Sequence, residues 1–342
     1  MSIFKKVYAG LAGLYAGDAF GLPMEMMPAE HVERVFGKVT GLVSLPDPTE
    51  ADGYVYRPIT PKGRGSDDTY FNTYVIEKYI ECGKMDEQAT ADIFLEKSRE
   101  ILDTPFYGPS TKKAMERIFR GEDPERTGLP SGPLEGQSCG AATLRSTPIG
   151  MANPGEIHNA AMEAVKGALP THGSSAALSA AAAWAAACAE AMKEKTTTEN
   201  IFHAALKGAR IGSGYGLPGI APSVEKRIEL AWKMAEKLKD PRKVAKEYYD
   251  LIGAGLPAAE TVPFSLAVFF ACPDDQLQGI LYAVNAGGDT DSTGSMAGAL
   301  IGIYSGKTDV AAEDLRLIEE VNRLDIRETA DRFSRWIEKN RM

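Results

Sequence analysis

Glycine recurs every three or four residues in two stretches of this chain that otherwise read as helices. Gly294, Gly298, Gly302 and Gly306 stand four apart, and Gly10, Gly13, Gly17 and Gly21 nearly repeat the pattern close to the N-terminus. Residues three and four apart lie on one face of a helix. A glycine inside a helix costs about 1 kcal/mol relative to alanine, so four on one face need a compensating gain. The missing Cβ offers one, because another backbone or a ligand can come closer than any side chain would allow. The pattern predicts two helices that cross tightly in the core and bring their ends to a common site.

The rest of the chain agrees with a helical fold. Phe71, Val75 and Tyr79, with Ile76 and Ile80, place apolar residues at i, i+4 over 67–82. Ile93, Phe94 and Ile101 do the same in the next segment. Helices are also read over 156–167, 174–193, 199–211, 224–238, 241–252, 275–285, 290–305 and 312–338. Breakers fall between them at Asp103-Thr104-Pro105, Gly128-Leu129-Pro130, Asn153-Pro154-Gly155, 212–219 and Cys272-Pro273-Asp274-Asp275. Alternating β-branched and aromatic runs are scarce. The stretch 40–65, rich in Pro and Gly, is expected as a surface loop near a site. No flexible linker and no tandem repeat interrupts the sequence, so the expectation is an all-α fold, a single multi-helix domain over 1–342.

Charge narrows the function. The 342 residues hold 38 Lys and Arg against 47 Asp and Glu, a net charge of −9. Such a protein has no general affinity for nucleic acid or anionic membranes, and it has carboxylates to spare for divalent cations. The alanine-rich Ala176–Ala189 is short of the roughly 20 apolar residues a bilayer requires; it reads as a buried helix. Cys82, Cys139, Cys188 and Cys272 show neither a CxxC pair nor zinc spacing. They read as reduced thiols, with no signal peptide ahead of them, in a cytoplasmic protein.

Three clusters carry chemistry. Gly287-Gly288-Asp289-Thr290-Asp291-Ser292-Thr293-Gly294 opens a helix with two carboxylates and adjacent hydroxyls. One Asp suffices to cap a helix; two beside Ser292 make a set of hard oxygen ligands. Gly65-Ser66-Asp67-Asp68-Thr69 repeats the theme, where acids in a first turn also match the helix dipole. Gly17-Asp18-Ala19-Phe20-Gly21-Leu22-Pro23-Met24-Glu25 puts Asp18 in an apolar helix end, where a buried carboxylate must be paired or ligated. Glu25 follows the stop at Pro23 and is placed to point into a cleft. Asp289 to Gly294 starts like a calcium-binding loop, but the twelfth position is Leu300 and not Glu.

These clusters, in this order, resemble the ADP-ribosylglycohydrolase family, which includes the dinitrogenase-reductase-activating hydrolases. Gly17 to Glu25 is similar to the family's GDALGxPxE, Ser66 to Thr69 to its (T/S)DDT, and Gly288 to Ser292 to its GGDTD(S/T). Arg145 to Gly150 and Thr171-His172 are weaker matches, and the likeness runs from about residue 5 to 305. The resemblance implies an all-α domain with two Mg²⁺ or Mn²⁺ ions held by Ser66, Asp67, Asp68, Asp289, Asp291 and Ser292. It implies hydrolysis at the anomeric carbon of a ribose, with the base among Glu25, Asp68 and Asp289. Asp18, Tyr70, Ser138, Cys139, Gly140, Arg145, His172 and Gly288 are the expected substrate-side residues, and the loop at 138–142 is the expected diphosphate receptor. Two departures touch that side. Cys139-Gly140 stands where the family often has Asn, and Tyr70 where it has a small or amide residue. The expected substrate is an ADP-ribosylated protein, an arginine side chain being one such acceptor, and a small riboside or nucleoside is the alternative. A metal-binding protein of the same fold without catalysis is the third reading.

Overall fold

A computed structural model describes residues 2–44, 61–99 and 107–341. The expected helix residue Ile101, the breaker at 103–105 and most of the 40–65 loop lie outside those residues. The chain opens with α1 (Ile3–Gly21), a single 3₁₀ turn (Leu22–Met24), β1 (Met27–Pro28) and α2 (Ala29–Phe36). Next come α3 (Asp67–Cys82), α4 (Glu87–Glu96), α5 (Pro109–Phe119), α6 (Pro124–Thr127), α7 (Gly140–Thr143) and α8 (Ser146–Met151). The middle holds α9 (Ile157–Ala168), α10 (Ser175–Ala191), α11 (Thr198–Gly212), α12 (Val224–Leu238), α13 (Pro241–Ile252) and α14 (Ala258–Ala271). The chain closes with α15 (Gln276–Asn285), β2 (Gly287–Gly288), α16 (Thr290–Ser305), α17 (Ala312–Asn322) and α18 (Ile326–Arg341). The all-α expectation holds; among the described residues the only strands are β1 and β2.

The glycine stripes do what their spacing predicts. A Cβ on Gly13 would lie 2.1 Å from the Gly298 carbonyl oxygen, and one on Gly17 would lie 2.1 Å from that of Gly294. A Cβ on Gly302 would meet the Ala9 carbonyl at 2.2 Å. α1 and α16 therefore cross with their backbones in contact. Gln276 bridges the crossing, its amide donating to the carbonyls of Ala9 and Gly298 at 2.8 and 2.7 Å. Gly306 is the exception: at φ 63° it ends α16 as a left-handed cap instead of joining the stripe. The buried Lys6 ammonium donates to carbonyls at the ends of two helices, those of Ala191 and Ile303, at 2.7 and 2.9 Å.

The alanine-rich α10 runs through the core as expected. Nearly all of it is buried, and Gly208 and Gly212 let α11 lie against its carbonyls. Its Trp184 is fully buried and donates to the Thr147 hydroxyl at 2.9 Å.

The sequence reading of the helices changes in several places. The single helix expected over 312–338 is two, broken at Arg323, whose φ of 55° is left-handed. α14, like α2 and α5 to α8, has no counterpart in the sequence reading; it is mostly apolar and carries Pro263 inside. A proline removes one helix hydrogen bond and frees the carbonyl four residues earlier. That carbonyl is Ala259, and the Arg227 guanidinium donates to it at 2.8 Å.

Candidate active site

The tight crossing of α1 and α16 sets the position of the site. Where α1 ends, Thr290 at the start of α16 donates its hydroxyl to the Gly21 carbonyl at 2.8 Å. The chain then turns through Met26, at φ 65°, whose N–H donates to Gly288 at 2.7 Å. Met27 pairs with Gly288 and Pro28 with Gly287, antiparallel. Gly287 and Gly288 both have left-handed φ, 78° and 86°, and a Cβ on Gly288 would lie 2.4 Å from the Ala254 carbonyl. This two-residue bracket holds Glu25 beside Asp289.

One oxygen from each of Glu25, Asp289 and Asp291 lies within 4.8 Å of the other two. All three residues are buried. Asp67 and Asp68, at the start of α3, join them around a cleft of about 380 Å³. Ser138, Cys139, Gly140, His172 and Ser292 also line it, as do Tyr107, Thr143, Leu256 and the segment Gly108–Lys112. Five carboxylates thus face a space in which Lys112 is the only lysine or arginine among the described lining residues. The repulsion shows in their acidity. Burial, with Asp67 and Asp291 nearby, pushes the Asp68 carboxyl well above the usual range, and burial with Asp291 does the same to Asp289.

Comparison with known proteins fixes the lineage. The ADP-ribosylglycohydrolase family pattern matches residues 1–341. The chain belongs to the ADP-ribosylglycohydrolase family. It is 25% identical to YegU, an uncharacterised protein of Escherichia coli K12, over 97% of both chains. It is 28% identical to an uncharacterised protein of Archaeoglobus fulgidus over 85% of both. ADP-ribosylhydrolase ARH3 of Homo sapiens is 32% identical over 88 residues, 23% of this chain and 24% of that one. A solved structure titled ADP-ribosylglycohydrolase-related protein complex superposes with a TM-score of 0.70 at 22% identity, covering 100% of this chain and 99% of that one. Family and fold make the protein a hydrolase of the ADP-ribosylglycohydrolase type.

The residues expected at an ADP-ribosylglycohydrolase site divide into two groups. Glu25, Asp67, Asp68, Asp289, Asp291, Ser292, Ser138, Cys139, Gly140 and His172 all reach the cleft. Asp18, Ser66, Tyr70, Arg145 and Gly288 are not among its lining residues. The fully buried Asp18 carboxylate accepts from the N–H groups of Ser66 and Thr69, both at 2.9 Å, and so holds the start of α3. Burial and the Asp291 charge push Asp18 up to about 7. Ser66 caps α3, its hydroxyl accepting from the Asp68 N–H at 3.1 Å. Tyr70 donates to the Asn322 side chain at 2.8 Å and lies under the Arg64 guanidinium. Arg145 is fully buried behind the cleft, donating to the Gly167 and Gly140 carbonyls at 2.6 and 3.5 Å over the face of Phe71. It supports the 138–142 loop from beneath.

Cys139 has a specific partner: its thiol donates to an Asp289 oxygen at 2.9 Å. His172 lies between two hydroxyls, Thr171 at Nδ1 and Ser138 at Nε2, both at 2.8 Å. Burial holds the imidazole down at about 3, with the Arg145 charge adding to it, so the ring is neutral. The sequence reading missed Tyr107 and Gly108–Lys112. Pro109 directly after Gly108 is a helix-start signal that could have located this wall of the cleft.

The carboxylates fit divalent cations. Asp68 Oδ2 and Asp291 Oδ1 are buried and have no hydrogen-bond partner among the described residues. Buried acceptors without donors, crowded by like charges, are costly unless a proton or a cation neutralises them.

Proposed function

We propose that this ADP-ribosylglycohydrolase removes an ADP-ribosyl group from a modified acceptor, an arginine side chain being one such acceptor, by hydrolysis at the ribose C1. One observation carries the reading: five carboxylates converge on one cleft, and two of them keep a buried oxygen without a donor. Asp67, Asp68, Asp289, Asp291 and Ser292 would hold two Mg²⁺ or Mn²⁺ ions; Ser66, expected as a further ligand, lies off the cleft and caps α3. Such ions supply, when bound, polarisation of ribose hydroxyls and of water.

The chain's own groups do the rest. A carboxylate takes a proton from water as the water oxygen bonds to C1 and the bond from C1 to the acceptor breaks; the carboxylic acid so formed returns that proton to the departing acceptor, directly or through solvent, and is again a carboxylate. Glu25, Asp68 and Asp289 are the groups available as that base. Whichever carboxylate does not serve as base steadies the positive charge that develops on the ribose. Burial excludes bulk water, which strengthens that electrostatic stabilisation. The Cys139 thiol occupies one oxygen of Asp289 and fixes its orientation.

The test is release of ADP-ribose from ADP-ribosyl-arginine, with a panel of nucleosides beside it, in Mg²⁺, Mn²⁺ or EDTA. Metal-dependent release is expected. Asp291→Asn is expected to keep the fold and lose roughly 10²-fold or more in rate, the scale of a displaced catalytic group. Equal turnover in EDTA would sink the metal reading. Release of a free base from a nucleoside would move the substrate to small ribosides.

A further inference from the structure

Two glycines, Gly63 and Gly65, stand just ahead of Ser66-Asp67-Asp68, and glycine leaves a backbone free to move. The start of α3 nevertheless has to be placed accurately, because a divalent cation tolerates errors of only about 0.2 Å in its ligand distances. Asp18 holds this start from the α1 side, through Ser66 and Thr69. Among the described residues it makes no hydrogen bond to either glycine.

Asn322 does so from the opposite side. It is the last residue of α17, which Arg323 ends with a left-handed φ of 55°. The Asn322 side chain is 5% exposed. Its Oδ1 accepts from the Gly65 N–H at 2.9 Å and from the Tyr70 hydroxyl at 2.8 Å. Its Nδ2 donates to the carbonyls of Gly63 and Ile318, both at 2.8 Å. An amide side chain has two donor hydrogens and two acceptor lone pairs, so all four are used. Three of the four bonds grip the chain around the acid pair, at Gly63 and Gly65 before it and at Tyr70 after it. The fourth ties the amide to its own helix. A residue needed only to fill this part of the core would be apolar, because a buried amide yields little net stability even when satisfied. A fully bonded one fixes the position of what it touches. Asn322 lies beyond residue 305, where the likeness to the family motifs ends, and Tyr70 stands where that motif carries a small or amide residue.

We propose that Asn322, with Tyr70, is a positioning residue of the cleft: the two hold residues 63–70 so that the Asp67 and Asp68 carboxylates meet a divalent cation in a fixed geometry. This rests on the metal reading of those carboxylates. Outer partners of metal ligands are worth about 10- to 100-fold in metal affinity. Binding of Mn²⁺ to the full chain, followed by the electron paramagnetic resonance signal of the free ion, reads the effect without turnover. Asn322→Leu is expected to weaken Mn²⁺ about tenfold or more, and Tyr70→Phe, which removes one bond of the four, about threefold. Asn153→Ala is the control. Asn153 is a fully buried amide that donates to the Ile149 carbonyl at 3.0 Å and to the Glu163 carboxylate at 2.9 Å, and it does not line the cleft. Its loss is expected to lower the thermal midpoint and leave Mn²⁺ affinity unchanged, which separates positioning from stability.

Wild-type affinity in Asn322→Leu, even with a lowered midpoint, overturns the inference. So does wild-type affinity in Tyr70→Phe, should Asn322→Leu not fold, and so does an equal loss of affinity in Asn153→Ala. A wild-type protein that binds no Mn²⁺ would sink the metal reading and this inference together. Mn²⁺ binding that depends on Asn322, in a protein that hydrolyses no ribosyl substrate, would sink the hydrolase reading alone.

Discussion

His172 shows how much one buried side chain constrains its surroundings. Its two nitrogens meet two hydroxyls, so neither needs a charge, and burial holds its acidity near 3. In the unfolded chain the same imidazole takes a proton near pH 6.5. Between those values the unfolded state binds the extra proton and the folded state does not, so this residue's contribution to stability rises with pH across that window. The loss from pH 7 to pH 5 is roughly 2 kcal/mol at 1.4 kcal/mol per unit below 6.5. His172→Gln removes the titration. Urea unfolding of both proteins at pH 7 and pH 5 is expected to show the variant losing about 2 kcal/mol less on acidification. An identical pH response in the two would mean that the ring is protonated in the fold. The comparison is made against the variant because Asp18, Asp68 and Asp289 titrate over an overlapping range in the opposite sense.

At the scale of elements the glycine face of α1 carries the argument. Gly13→Ala would gain about 1 kcal/mol of helix propensity. It would also drive a methyl to 2.1 Å from the Gly298 carbonyl, a contact that must be relieved by parting the helices. Overpacking of this kind costs about 1–3 kcal/mol, and more where backbone is the obstacle. A net loss of about 2 kcal/mol or more is expected in urea unfolding, and a variant as stable as the wild type would show that the two backbones are not in contact. This crossing was legible in the sequence, because few reasons other than close approach justify glycine at helical spacing. The acid-rich starts of α3 and α16 were legible too, from hydroxyl and carboxylate residues set directly after glycines. α14 was not, because its apolar residues surround it and Pro263 reads as a breaker. The partner that rescues it, Arg227, is 32 residues from the carbonyl it bonds. The bracket that sets Glu25 beside Asp289 was equally hidden, since a two-residue pairing leaves no periodic signal and joins positions some 260 residues apart. Asp18 and Arg145 were expected on the substrate side, but whether a buried charge faces a cleft or the element behind it depends on side-chain direction.

For the whole molecule, the charge pattern makes stability a readout of the site. The chain carries −9 overall, and it concentrates five carboxylates in one partly buried cleft. Where folding raises a carboxyl pKa, the stability tied to it is present below the unfolded value near 4 and is lost as pH rises through the folded one. Asp18 is raised to about 7, and Asp68 and Asp289 are raised as well. Metal-free protein therefore loses this contribution between about pH 4 and pH 7 and beyond. Cations that bind the ionised carboxylates compete with protons and reverse that loss. Saturating Mg²⁺ or Mn²⁺ at about 100 times its Kd would add about 2.7 kcal/mol, provided it binds only the folded state. The expected result is a thermal midpoint that rises with Mg²⁺ at pH 8 and hardly moves at pH 5. Taking the difference with and without metal at each pH cancels the opposing titration of His172, which the ions do not touch in this reading. Asp291→Asn is expected to abolish most of the rise at pH 8. A metal-induced shift equal at both pH values, or retained in the variant, would place the cations somewhere other than on these carboxylates.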